Sequence, residues 1–163
     1  MIIIDTMMEK LSEPVTVNQK CIIDAEVLSL IDKKVSVRES REKVKRVIKD
    51  VLFAPNSIID IDVNEITDLF QEGGEIHTIE TSTDATKENR MEVLMEQIRK
   101  SANSYEPYNH VLVYFFISES HPMLMEELQP FSDWIESVPD EITIKWGLSV
   151  QPTQELRTIV LVQ

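Results

Sequence analysis

The chain has 163 residues, a formal net charge of −13, 42% hydrophobic residues and 28% charged residues. That length is enough to bury one core and fits a single folding unit, and the composition is that of a globular protein rather than a disordered one. The charge repels nucleic acid and anionic lipid over the surface as a whole, and the longest apolar run, Val111 to Ile117, is far short of the roughly 20 residues a membrane-spanning helix needs, so neither a nucleic-acid partner nor a membrane is expected.

The opening Met1-Ile2-Ile3-Ile4-Asp5 has no basic flank and is too short for a secretory signal. The single Cys21 cannot form an internal disulfide, which points to the cytoplasm as compartment. Cys21-Ile22-Ile23 and Val27-Leu28 predict a short strand and turn, while residues 1–19 carry few signals. Residues 1–35 are therefore read as a weakly defined N-terminal segment and 36–163 as the domain proper. Ser36-Val37-Arg38-Glu39 has the form of a capping box, and Val44, Val47, Ile48, Val51 and Leu52 follow at helical spacing. A helix over about 36–53 is predicted, stopped by Ala54-Pro55. Its basic run, Arg38 to Lys49, has the pattern of a nucleic-acid stripe but reads better as a solvated helix face.

An extended stretch is expected from Ser57 to Ile61, then a second helix with Ile66, Leu69 and Phe70 inward, ended by Gly73-Gly74. Glu75 to Glu80 reads as a strand. Asp84 or Thr86 is placed as the cap of a helix whose inner face is Met91, Leu94, Met95 and Ile98. The continuous apolar segment 110–118 predicts a central strand covered on both faces. His121-Pro122 is taken to open the next helix, with Leu124, Leu128, Phe131, Ile135 and Val138 inward and Pro130 bending or restarting it. Alternation of Ile142, Ile144 and Trp146 predicts a strand, and Leu156 to Val162 another after the Gln151-Pro152-Thr153 turn. The fold class is α/β: an α+β sandwich with a four-stranded mixed sheet and helices packed on it. The chain shows no internal repeat and no low-complexity segment.

Three glycines, Gly73, Gly74 and Gly147, leave no Gly-rich loop to cradle a phosphate chain, so the chain is expected to bind no nucleotide alone and to need no cofactor. Cys21 sits among apolar residues, where a buried inert thiol is expected. His77, His110 and His121 have no second ligand at metal spacing, so no metal is expected either. The best chemical candidate is Asp60-Ile61-Asp62-Val63-Asn64-Glu65, at a helix start. Acidic groups there complement the helix dipole and cap free N–H groups. A calcium loop is rejected, because its sixth position needs Gly and its twelfth Glu, where this chain has Glu65 and Gln71. The other reading is that these carboxylates polarise a water for attack on a phosphate held by another chain.

These residues resemble the cell-division GTPase FtsZ and its relative tubulin, specifically the half after the nucleotide-binding domain. The resemblance runs from about residue 20 to 163. Val47 to Ile66 resembles the end of the family's long central helix and its loop of the form P-G-x-I-N-x-D-x-x-D-V. Glu88-Asn89-Arg90 resembles the family's G-x-x-R-A, Ile142 to Val150 its strand ending in F-G, and Leu156 to Val162 the last strand of that domain. In the family, the loop completes the GTPase site of the next subunit across a head-to-tail contact. The family's Asn, Asp and Asp fall on Asp60, Asp62 and Glu65, so two of three positions depart from the pattern. One adds a negative charge and the other lengthens the arm by a methylene. The Pro-Gly turn is Pro55-Asn56 here, which Asn allows by taking the left-handed conformation. The phosphate loop G-G-G-T-G-T-G has no counterpart, and the chain stops at Gln163, before the family's membrane-anchor-recruiting tail.

The resemblance implies a non-catalytic assembly module that contacts a protein partner, either a second copy, giving a homo-oligomer, or an FtsZ-like filament. The alternative is one part of a split GTPase, lending Asp60, Asp62 and Glu65 in trans.

Overall fold

The computed structural model describes residues 29, 31, 33–35, 41–72 and 74–163. The expected strand near Cys21 and the Ser36–Glu39 capping box lie outside them. Helix α1 spans Arg41–Leu52 and buries Val44, Val47, Ile48, Val51 and Leu52, as the helical spacing requires. Each of the five is at most 2% exposed, and burying one such side chain is worth about 1.5–3 kcal/mol, so the stripe anchors α1 to the body. Ile31 and Val35 join the same core, and Val35 bridges Ile76.

After α1 the chain turns through Asn56, whose φ of 51° is the left-handed conformation expected there. Strand β1 (Ser57–Ile59) and helix α2 (Val63–Phe70) follow, then β2 (His77–Asp84), α3 (Arg90–Ala102) and β3 (His110–Ser118). Helix α4 (Gln129–Ser137) leads to β4 (Thr143–Gln151) and β5 (Glu155–Val162). Among the described residues the sheet has five strands in the order β1-β4-β3-β5-β2, not the four expected. The added strand is the extended stretch at Ser57, which pairs antiparallel with β4 at Ser57–Ser149 and Ile59–Leu148. Three residues carry too little alternation to register as a strand, and a non-local partner makes it one.

Among the described strands only β3 and β4 pair in parallel, the connection that needs a crossover, and α4 supplies it. β3 is the central strand, and its side chains alternate between two cores. Leu112, Tyr114 and Phe116 join the α1 and α2 side, whereas Val111, Val113, Phe115 and Ile117 join α3 and α4. Among the described residues, four helices from Arg41 onward thus sandwich the sheet. At the end of α2, Gln163 Nε2 donates to the carbonyls of Phe70 (3.2 Å) and Gly74 (2.8 Å), satisfying acceptors the helix end leaves open.

Three local expectations are corrected. Asp84 ends β2 and caps no helix. Its Oδ1 accepts from the backbone N–H and the hydroxyl of Thr86, a local turn that competes with helix, and α3 begins at Arg90 after Asn89. His121-Pro122 opens no helix. A short 3₁₀ turn at Met125–Leu128 comes first, and α4 starts with Pro130 in its first turn, where a missing N–H costs nothing. Leu124 is therefore 61% exposed rather than inward, and Trp134 takes the buried place beside Phe131.

Candidate functional site

The acidic segment lies between β1 and α2. Asp62 is the N-cap of α2 with extended backbone (φ −97°, ψ 171°). Its Oδ1 accepts from the Glu65 backbone N–H at 2.8 Å, and Glu65 Oε2 accepts from the Asp62 backbone N–H at 2.9 Å. This is a reciprocal capping box that uses one oxygen of each carboxylate. Glu65 Oε1 lies 3.8 Å from Lys145 Nζ on β4, an exposed pair that contributes little to stability. Asp60 and Asp62 are exposed and Glu65 half-exposed.

Beneath this segment the backbone is held tightly. The Ser57 hydroxyl and the Tyr114 hydroxyl are 3.0 Å apart in the buried layer between β1 and β3. Burial pushes the Tyr114 phenol above its ordinary value, opposed by that bond to Ser57, and the Asp60 carboxylate adds to the rise. Gly147 on β4 explains how β1 comes so close. A Cβ there would sit 2.6 Å from the Ile59 carbonyl oxygen and 2.7 Å from Tyr114 Cε2, so only a residue without one permits the approach. Lys145 and Tyr114 were not singled out in the sequence. Lys145 showed only as the outward position of an alternating strand, and Tyr114 as one of seven apolar residues in a run.

The histidines do not converge on this segment. His77 stacks on Tyr105 with ring centroids 4.4 Å apart, and His121 Nδ1 lies 3.1 Å from the Ser120 hydroxyl. Among the described residues, no group of three or more His, Cys, Asp or Glu is arranged to hold a metal ion. Nor is any helix among them long and apolar enough to cross a membrane.

Arg90 is a second centre of polar organisation, only 4% exposed. Its Nε and Nη2 donate to Glu127 at 2.8 and 2.9 Å, and its remaining N–H groups donate to the carbonyls of Ala85, His121 and Pro122 at 2.8–2.9 Å. All five donors are used. Arg90 thus ties the β2–α3 loop to the β3–α4 loop, a structural role.

No family model matches the chain, and no curated protein matches it. Solved structures do. An empty FtsZ dimer from M. jannaschii is 15% identical over 83% of this chain and 42% of that chain, with a TM-score of 0.55. A GTPγS-form protofilament of TubZ from Bacillus thuringiensis serovar israelensis is 11% identical over 85% and 39%, with a TM-score of 0.57. The GTPγS-bound protofilament of CetZ2 from Haloferax volcanii is 18% identical over 81% and 43%, with a TM-score of 0.55. The chain therefore spans roughly two-fifths of the length of each. With a mixed sheet and four flanking helices, it carries the fold of the C-terminal domain of FtsZ and tubulin.

Proposed function

We propose that this chain is a non-catalytic protein–protein assembly module of the cytoplasm, with 36–163 as its working unit behind a leading segment 1–35. Its partner is a second copy or an FtsZ-like filament protein. The observation that carries this reading is the reciprocal capping box, in which Asp62 and Glu65 bind each other's backbone N–H groups and already have a structural employment. The shared fold supports it as well, because solved structures with that fold include a dimer of FtsZ and protofilaments of TubZ and CetZ2.

A second reading, a split GTPase that lends carboxylates in trans, is favoured by the exposure of Asp60 and Asp62. The two are separated by sedimenting the chain with preformed FtsZ filaments while GTP turnover is measured in the same tubes. The module reading expects the chain in the pellet with turnover unchanged. Faster turnover that depends on Asp62 selects the second reading, and a chain that neither pellets nor self-associates overturns both.

A further inference from the structure

We propose that the cavity between the C-terminal ends of α3 and α4 binds a small organic amine, a protonated ammonium carried on an apolar body. At about 790 Å3 the cavity is of the size that encloses a small molecule. It shares no residue with the acidic segment before α2, so the proposal is independent of the assembly reading. The group that marks it as a site is the Tyr108 hydroxyl. Tyr108 is 9% exposed, and burial pushes its phenol above its ordinary value, with the Glu106 carboxylate adding to the rise. No hydrogen bond reaches that hydroxyl from any described residue. Nor is its oxygen sealed from solvent, as the orphaned oxygens of Thr158 and Gln163 are, so it opens into the cavity that Tyr108 lines. A buried phenol normally has a hydrogen-bond partner, and one left open toward a cavity is placed to meet a polar atom of a ligand.

The charge around the cavity sets the sign of that ligand. Three carboxylates, Glu106, Asp133 and Glu141, line it against one cation, Arg99. Arg99 Nη2 already donates to the Pro130 carbonyl at 3.4 Å, and one oxygen of Asp133 accepts from Gln129 Nε2 at 2.7 Å. Glu106 is exposed and is the carboxylate that acts on the Tyr108 phenol. An ammonium beside these two donates to Tyr108 Oη and is neutralised by Glu106, whereas an anion meets net repulsion. Nearly buried Trp134, with half-buried Val138 and Ile142, supplies the apolar wall that the hydrocarbon body covers.

The test is an amide-shift NMR titration of the full chain with phenethylamine, beside its uncharged analogue phenethyl alcohol and the anion phenylacetate. The amine is expected to bind with a dissociation constant of about 1 mM or tighter, at least about tenfold tighter than either analogue, with shifts centred on Tyr108, Val138 and Ile142. Tyr108→Phe keeps the ring and should weaken binding about tenfold, the loss of one hydrogen bond to a charged donor. Glu106→Gln should weaken it about threefold and lessen its salt dependence, as expected for an exposed ion pair. Glu92→Gln removes a charge of the same sign outside the cavity and should change nothing. An equal loss in that variant would mean that the amine merely follows the net charge of −13, and would overturn the proposal. So would an amine that binds no better than the alcohol, or a Tyr108→Phe variant that melts and binds like wild type. The comparison of the three probes on the wild-type chain decides even if a variant fails to fold. Because no filament or nucleotide enters the experiment, its failure leaves the assembly module standing.

Discussion

The Arg90 guanidinium and the Glu127 carboxylate meet as a two-bonded fork across 37 positions of chain, at 2.8 and 2.9 Å. Glu127 Oε2 also accepts from the Leu124 backbone N–H at 2.8 Å, so the pair fixes the turn before α4 as well as the start of α3. Arg90→Ala is expected to destabilise by about 3–5 kcal/mol, because it strands a carboxylate and three carbonyls around an emptied site. At this chain length that corresponds to a melting temperature lower by roughly 10 °C. Arg90→Lys should recover little, since an ammonium cannot present five donors in a plane. Calorimetric melting of the two variants checks both statements, and a near-wild-type Arg90→Lys would show that charge alone suffices.

The same pair shows why part of the fold was legible in the sequence and part was not. The apolar run at 110–118 predicts its own burial on both faces, and the stripe on α1 names its inward residues, because each pattern is set by local periodicity. The start of α4 is not set locally. Glu127 is drawn to Arg90 and the chain from His121 to Leu124 is held by it, which pushes the helix start to Gln129 and leaves Leu124 outside. Likewise β1 is a strand only because Gly147 lets it approach β4. The capping role of Asp62 and Glu65 was legible, since their spacing is that of a capping box. Whether a partner uses their remaining oxygens depends on a second chain and has no local signature.

Gly147→Ala tests the close approach of β1. The clash at 2.6 Å is with backbone, the Ile59 carbonyl, and cannot be relieved by a side-chain rotation. We expect a loss of about 1–3 kcal/mol, with parting of the Ser57–Tyr114 hydrogen bond, measured by urea denaturation. Ser57→Ala removes that bond and the longer one to the Leu148 carbonyl (3.4 Å) without any backbone clash, and should cost less, about 1 kcal/mol. Equal losses in the two variants would mean that Gly147 matters solely through Ser57.

Acid should unfold this protein partly through two carboxylates. The Arg90 hydrogen bonds hold Glu127 below its ordinary value against the effect of burial. Glu80 is lowered first by its bonds to Arg46, with burial opposing, and further by Arg157, which also reaches Asp50 at 2.9 Å. A folded pKa below the unfolded one gives stability that is fully present above the ordinary carboxylate range and is lost as pH falls through the folded values. Stability should therefore hold near neutrality and decline below about pH 4.5. Arg46→Ala should flatten part of that decline, because Glu80 then titrates more nearly alike in both states. Urea midpoints at neutral and acid pH measure the difference, and an unaltered slope in Arg46→Ala would remove Glu80 from the account.

Asp62→Asn separates the structural from the chemical use of the acidic segment more cleanly than alanine does. Asparagine accepts the Glu65 N–H as well as aspartate, so the cap survives and stability should change little, whereas Asp62→Ala should cost about 0.5–2 kcal/mol. A carboxylate acting on a neighbour's nucleotide, by contrast, is lost equally in both. Added to an FtsZ-like filament under GTP turnover, the two variants should behave as wild type if the segment serves only to start α2. If Asp62→Asn keeps its melting temperature yet lowers a turnover that the wild-type chain had raised, the carboxylate acts in trans, and the module reading gives way to the split GTPase.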